Sequence, residues 1–179
     1  KSKKPKRYKP IITPAPPGIY ASGIKDEKFV ASLGALTTYW PHVEEHMVGF
    51  FAEMIGVADE ASARLIFRSI INQNTRLTIM RNLLERSPTH REKADSFDTT
   101  IEEYAALNRR RNKYVHSLWY THDETKKIFI EEEAESYDKF LAKREVPIEE
   151  IDETYFRMNA LVGRLMERKQ TLRLAQALA

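Results

Sequence analysis

An all-α fold, a bundle of about five helices with a small β-hairpin before the last long helix, is predicted by three features of the 179-residue sequence. Apolar residues recur three and four apart over long stretches, the spacing that gathers them on one side of a helix. Breakers are scarce: from Ile24 onward there are three prolines (Pro41, Pro88, Pro147) and four glycines (Gly34, Gly49, Gly56, Gly163). Strand-like runs are confined to Ile128–Ile130 and Tyr137–Lys143, either side of the acidic run from Glu131 to Ser136.

The elements follow in chain order. Residues 1–24 form an extended basic tail. Five of the eight prolines (Pro5, Pro10, Pro14, Pro16, Pro17) lie before Gly18, and proline supplies no amide donor to a helix or a central strand. Lys1, Lys3, Lys4, Lys6, Arg7 and Lys9 place six bases and no acid in the first nine residues. The whole chain carries +3 from 29 bases and 26 acids, so the remainder is slightly acidic and only the tip is strongly basic. Residues 25–179 are the helical domain. Phe29, Leu33, Leu36, Trp40, Val43, Met47, Phe50 and Met54 make one stripe through Pro41, as one bent helix or two nearly in line. Asp59 caps a second helix carrying Leu65, Ile66 and Ile70. A break at Asn72, Asn74 and Thr75 precedes a third with Leu77, Met80, Leu83 and Leu84, which Pro88 ends. A fourth helix spans about Ser96 to Trp119. The last opens at Pro147 and buries Ile148, Ile151, Tyr155, Met158, Val162 and Leu165. Acids near its start (Glu149, Glu150, Asp152, Glu153) and bases towards its end (Arg164, Arg168, Lys169, Arg173) suit the helix dipole.

Composition excludes several chemistries. With no cysteine there is no disulfide framework, thiolate nucleophile or cysteine zinc site. The most apolar stretch, Met47 to Ala58, falls short of the roughly 20 residues a bilayer crossing requires. With no charged-then-apolar leader at the start, the expected location is the cytoplasm and no membrane partner is expected.

The fourth helix is where the apolar pattern breaks. Ile101, Ala105, Asn108, Asn112, Val115 and Trp119 share one face by spacing, yet two amides occupy its middle. Burying an unpartnered amide costs about 1–3 kcal/mol, so the intrusion points to function. Arg111 and His116 flank it. Asn112 and His116 are neighbours one turn apart, whereas Arg111 and His116 lie about 140° apart around the axis, a gap that a long guanidinium can partly close.

Arg111-Asn112-Lys113-Tyr114-Val115-His116 resembles the signature of the HEPN superfamily: an arginine, a preferred asparagine, three further residues and a histidine late in a helix. The resemblance extends to residues 24–179, with helices before the motif and one long helix after it. It implies a metal-independent endoribonuclease without cofactors, usually a homodimer whose two motifs meet across a cleft. In that scheme His116 is the acid/base, Arg111 stabilises the transition state and Asn112 positions. Imidazole exchanges protons near neutral pH, and guanidinium offers a planar, permanent charge to phosphate oxygens. The ribose 2′-hydroxyl attacks the adjacent phosphate and leaves a 2′,3′-cyclic phosphate and a 5′-hydroxyl. Arg109, Arg110, Lys113 and Asn108 hold the RNA, and a toxin or defence effector of this kind is expected to have a protein inhibitor. Ser117 stands where many relatives carry glycine. Leu118 replaces the tyrosine of members that a nucleotidyltransferase modifies, so that regulation is not expected here. The alternative is a non-catalytic helical module for dimerisation or protein docking.

Other patterns are weaker. His42-Val43-Glu44-Glu45-His46 has the H-x-x-E-H spacing of an inverted zinc protease. Pro41 disturbs the helix there and no third ligand stands out, so no metal site is assigned. His90 and His122 flank helix ends and are expected in solvent. Trp40, Phe50, Phe51 and Trp119 are expected in the core or a dimer contact. No sheet platform of aromatic and basic residues is expected.

Overall fold

The computed structural model describes residues 17–57, 59–86, 94–131 and 143–177. Over these residues the chain forms five helices and four short strands: β1 (Tyr20–Ser22), α1 (Glu27–Ile55), α2 (Glu60–Ser69), α3 (Gln73–Arg86), α4 (Ala94–His116), β2 (Trp119–His122), β3 (Ile128–Glu131), β4 (Lys143–Glu145) and α5 (Ile148–Ala177). A helical bundle with a small antiparallel sheet ahead of the last helix is therefore the architecture.

Local chemistry sets the helix ends. Asp26 caps α1 by accepting from the Phe29 amide, and Gly56 closes it with φ of 67°, a left-handed conformation that suits a residue without Cβ. Asp59 accepts from the amides of Ala61 and Ser62 at the start of α2, and Asn72 accepts from the Thr75 amide at the start of α3. Pro41 lies inside α1, which continues through it as one element.

The long helices α1 and α5 lie side by side and run in the same direction. Tyr39 meets Tyr155 and donates to Asn159 at one end, while Glu53 binds Arg173 at the other. The stripe read along α1 is the core: Phe29, Leu36, Trp40, Val43, Met47 and Phe50 are all buried. Trp40 stacks on Tyr104 of α4, Phe50 meets Phe97 edge-on, and Phe51 packs on Phe67 of α2. In α2 the buried residues are Ala63 and Phe67, whereas Leu65 is 74% exposed and Ile66 45%. The sequence reading chose the wrong side of that helix, because its ten residues carry apolar side chains on two sides.

The sheet also exceeds the expected hairpin. Its order is β1-β2-β3-β4, antiparallel throughout. Tyr20 to Ser22, assigned by sequence to the tail, pair with Tyr120 to His122. Trp119, assigned to the end of the fourth helix, opens β2 and donates its indole N–H to the Tyr114 carbonyl. The expected strand from Tyr137 lies mostly outside the described residues, and β4 begins at Lys143.

His122 is buried, not solvated. Its Nδ1 accepts from the Thr125 amide at 3.2 Å, and the Tyr20 ring meets it edge-on at 5.0 Å. A histidine read as flanking a helix end is in fact part of β2, covered by β1. Gly18 permits this: a Cβ there would overlap the His122 ring. Gly18→Ala is expected to lower stability by about 1–3 kcal/mol, the cost of overpacking. Urea unfolding measures the loss; an unchanged midpoint would show that β1 does not depend on this contact.

Candidate functional site

The α4 core face is rotated from the stripe inferred by sequence. Phe97, Ile101, Tyr104, Leu107 and Tyr114 are buried, and their spacing places Arg111 near the middle of that inward side. Ala105 is buried as expected, but Val115 is 37% exposed. The two asparagines are half-buried. The reason is the reach of tyrosine: Tyr104 and Tyr114 bury their rings and bring only the phenol to a polar partner.

Each predicted site residue can now be placed. Asn108 donates its side-chain amide to the Gln73 side-chain oxygen at the start of α3. Arg109 is exposed. Arg110, expected to hold RNA, turns inward instead: its Nε donates to the Tyr114 hydroxyl at 3.0 Å, and its Nη2 lies 3.5 Å from Glu153 and 3.7 Å from Glu150. Its charge is matched within the chain, because the start of α5 brings two carboxylates against it. Arg111 donates from Nη1 to Asn112 Oδ1 at 3.0 Å, and its Nε is buried without a partner among the described residues. Lys113 and His116 are exposed in the last turn of α4.

Helical geometry puts Arg111 and His116 on different sides of α4. Asn112 lies between them in angle, one turn before His116, and its Oδ1 accepts from Arg111 Nη1. The sequence reading singled out all three residues but did not foresee that Asn112 would hold the arginine. The same exposed face as His116 carries Lys113 and Arg109, at i−3 and i−7.

A polar clamp missed by sequence fixes this end of α4. Glu150 of α5 accepts from the Tyr114 hydroxyl at 2.5 Å and from both terminal nitrogens of Arg144 in β4, at 2.7 and 3.0 Å. Burial pushes the Tyr114 phenol up, as does its bond to Glu150, so it stays protonated and donates. The only sequence sign was an acid opening a helix, which the dipole already explained.

Elsewhere, His42 and His46 face each other with ring centres 4.6 Å apart. Burial, His42 and Lys169 hold the His46 imidazole below its ordinary range. Glu45, the residue that a zinc-protease reading requires as a base, is bound by Arg64 at 2.5 Å and Arg68 at 2.8 Å. Among the described residues no three potential metal ligands gather, and no helix is long and apolar enough to cross a membrane.

A cleft of about 830 Å³ lies between α3 and α4, with Arg157 of α5 at its border. It runs beside the α4 turns that lead to Arg109.

Comparison with protein-family models, with curated proteins and with solved structures gives no match.

Proposed function

We propose that the chain is a metal-independent endoribonuclease of the HEPN type that acts as a homodimer, with His116, Arg111 and Asn112 at the reacting phosphate. One observation carries the reading: Asn112, one turn from an exposed His116, accepts from the half-buried Arg111 guanidinium. A held guanidinium and an accessible imidazole are the groups that transesterification of a phosphodiester uses.

In the proposed step a neutral His116 imidazole takes the 2′-hydroxyl proton. The 2′-oxygen bonds to phosphorus, the bond from phosphorus to the 5′-oxygen breaks, and that oxygen receives a proton from a second, protonated imidazole. One chain offers one such histidine, so the scheme requires two copies with their α4 ends together. Val115 and Leu118, 37% and 63% exposed on either side of His116, give that contact an apolar component.

The test is incubation with end-labelled single-stranded RNA in EDTA. Fragments ending in a 2′,3′-cyclic phosphate, formed without added metal, support the reading; intact RNA across a wide range of enzyme concentration rejects it. A second reading, a non-catalytic module for dimerisation or protein docking, is favoured by the same exposed Val115 and Leu118. It keeps the association and lacks the cleavage.

A further inference from the structure

The cleft between α3 and α4 adjoins the proposed site but plays no part in the chemistry above. Its floor is small and apolar: Leu77 and Ala105 are buried and Ala106 is half-buried. Three guanidinium groups border it: Arg81, which Asp98 binds at 2.5 Å, Arg157, and Arg109, which has no ion pair among the described residues. Of its two carboxylates, Glu103 is matched by Arg164 at 2.5 Å and Arg157 at 3.7 Å. Glu102 is exposed and has no ion pair among the described residues.

The α4 wall of this cleft does not stop at its mouth. Thr99, Glu102, Ala106, Arg109, Lys113 and His116 recur at three-four spacing and so share one helix face. Arg109 to His116 is two turns, about 10 Å of axis. The Arg109 end of the cleft therefore leads, along this face, to the turn that bears the proposed acid/base.

We infer that the α3–α4 cleft is a track for a single strand of RNA, leading it to His116. This inference rests on the nuclease reading. Forked guanidinium groups suit the phosphates, and the hydroxyls of Thr78 and Thr99 with the amide of Asn74 suit base edges and 2′-hydroxyls. The small apolar floor accepts unstacked bases. A polyanion is favoured because the arginines of the lining outnumber its carboxylates by three to two, and Lys113 lies one turn beyond Arg109 on the same face. Glu102 is the carboxylate of the lining without an ion pair among the described residues, which gives the experiment a diagnostic sign.

The experiment measures fluorescence anisotropy of a labelled single-stranded RNA with the full chain carrying His116→Ala, in EDTA. In that background Arg109→Glu and Arg157→Glu are each expected to weaken binding about tenfold. Thr78→Trp, which fills the cleft without changing charge, is expected to weaken it comparably, and Glu102→Gln to tighten it about threefold. Lys28→Glu on α1 controls for net charge. The inference is overturned if the His116→Ala chain binds no RNA, if the arginine variants bind like Lys28→Glu, or if Thr78→Trp binds like its parent. With His116 restored, Arg157→Glu is expected to raise KM about tenfold and change kcat less than about twofold. Cleavage with an unmoved KM removes the cleft and keeps the nuclease. Cleft-dependent binding without any cleavage removes the nuclease and keeps the cleft.

Discussion

His116→Ala is expected to slow RNA cleavage by about 10²- to 10⁴-fold, the range that one general acid or base contributes, while leaving the fold intact. The side chain is exposed in the last turn of α4 and makes no hydrogen bond or ion pair among the described residues, so its truncation removes no structural contact. The companion variants separate charge from geometry. Arg111→Lys keeps the positive charge but loses the planar fork that Asn112 holds, and is expected to retain little activity because an ammonium cannot reproduce that arrangement. Asn112→Ala frees the guanidinium and is expected to lower kcat more than it raises KM. Single-turnover cleavage with each variant, beside thermal unfolding, measures both sides of the claim. If His116→Ala cuts as fast as wild type, the imidazole has no part in the chemistry. If it instead unfolds, its role is structural and the docking-module reading gains.

The largest expected effect on stability comes from Glu150. Its side chain is 20% exposed and binds Arg144, itself 12% exposed, through both terminal nitrogens. Removing one partner of such a pair leaves the other charge desolvated. Glu150→Ala is therefore expected to cost about 2–4 kcal/mol, somewhat below a fully buried pair because some solvent reaches both groups. Glu150→Gln retains an acceptor for Tyr114 and is expected to lose less.

The pH dependence has a definite sign. Burial alone raises the Glu150 carboxyl, but hydrogen bonds from Arg144 and Tyr114, with the charges of Arg144 and Arg110, outweigh it and hold it below its ordinary value of 4.5. The folded state thus binds this proton less readily than the unfolded state. The stabilisation is complete above about pH 4.5 and is lost as pH falls through the folded value. Urea unfolding of wild type and Glu150→Gln is expected to show a gap at pH 7 that narrows on acidification below pH 4.5. A gap constant across that window would mean that the carboxylate charge contributes nothing. Tyr114, Arg144 and Glu150 tie the end of α4 to β4 and α5. Loosening this clamp is expected to reduce cleavage without removing any group from the proposed chemistry.

Much of the architecture was legible in the residues. The α1 stripe from Phe29 to Met54, the Asp59 cap and the opening of the last helix at Pro147 are local patterns, written in neighbours a few positions apart. Where the reading failed, the deciding partners were distant in sequence. Tyr20 to Ser22 form a strand only because Tyr120 to His122, about a hundred residues on, supply the ladder. Trp119 leaves the helix because β3 and the Tyr114 carbonyl offer its backbone and indole better partners. The expected face of α4 was drawn through Asn108 and Asn112 and left out Tyr104 and Tyr114. Burial of Tyr104 and Tyr114 turned the helix instead, and Arg110 with it.

Alone, then, the order of residues determined a helical bundle and marked Arg111, Asn112 and His116 as unusual, since both follow from spacing along one chain. Which way α4 is turned, which arginine is matched by carboxylates and which is held by an amide were decided only in three dimensions. The cleft beside the motif also belongs to that second level. Helix rotation and ion pairing depend on groups that other elements bring into reach, and a periodic pattern contains no information about which neighbour will arrive.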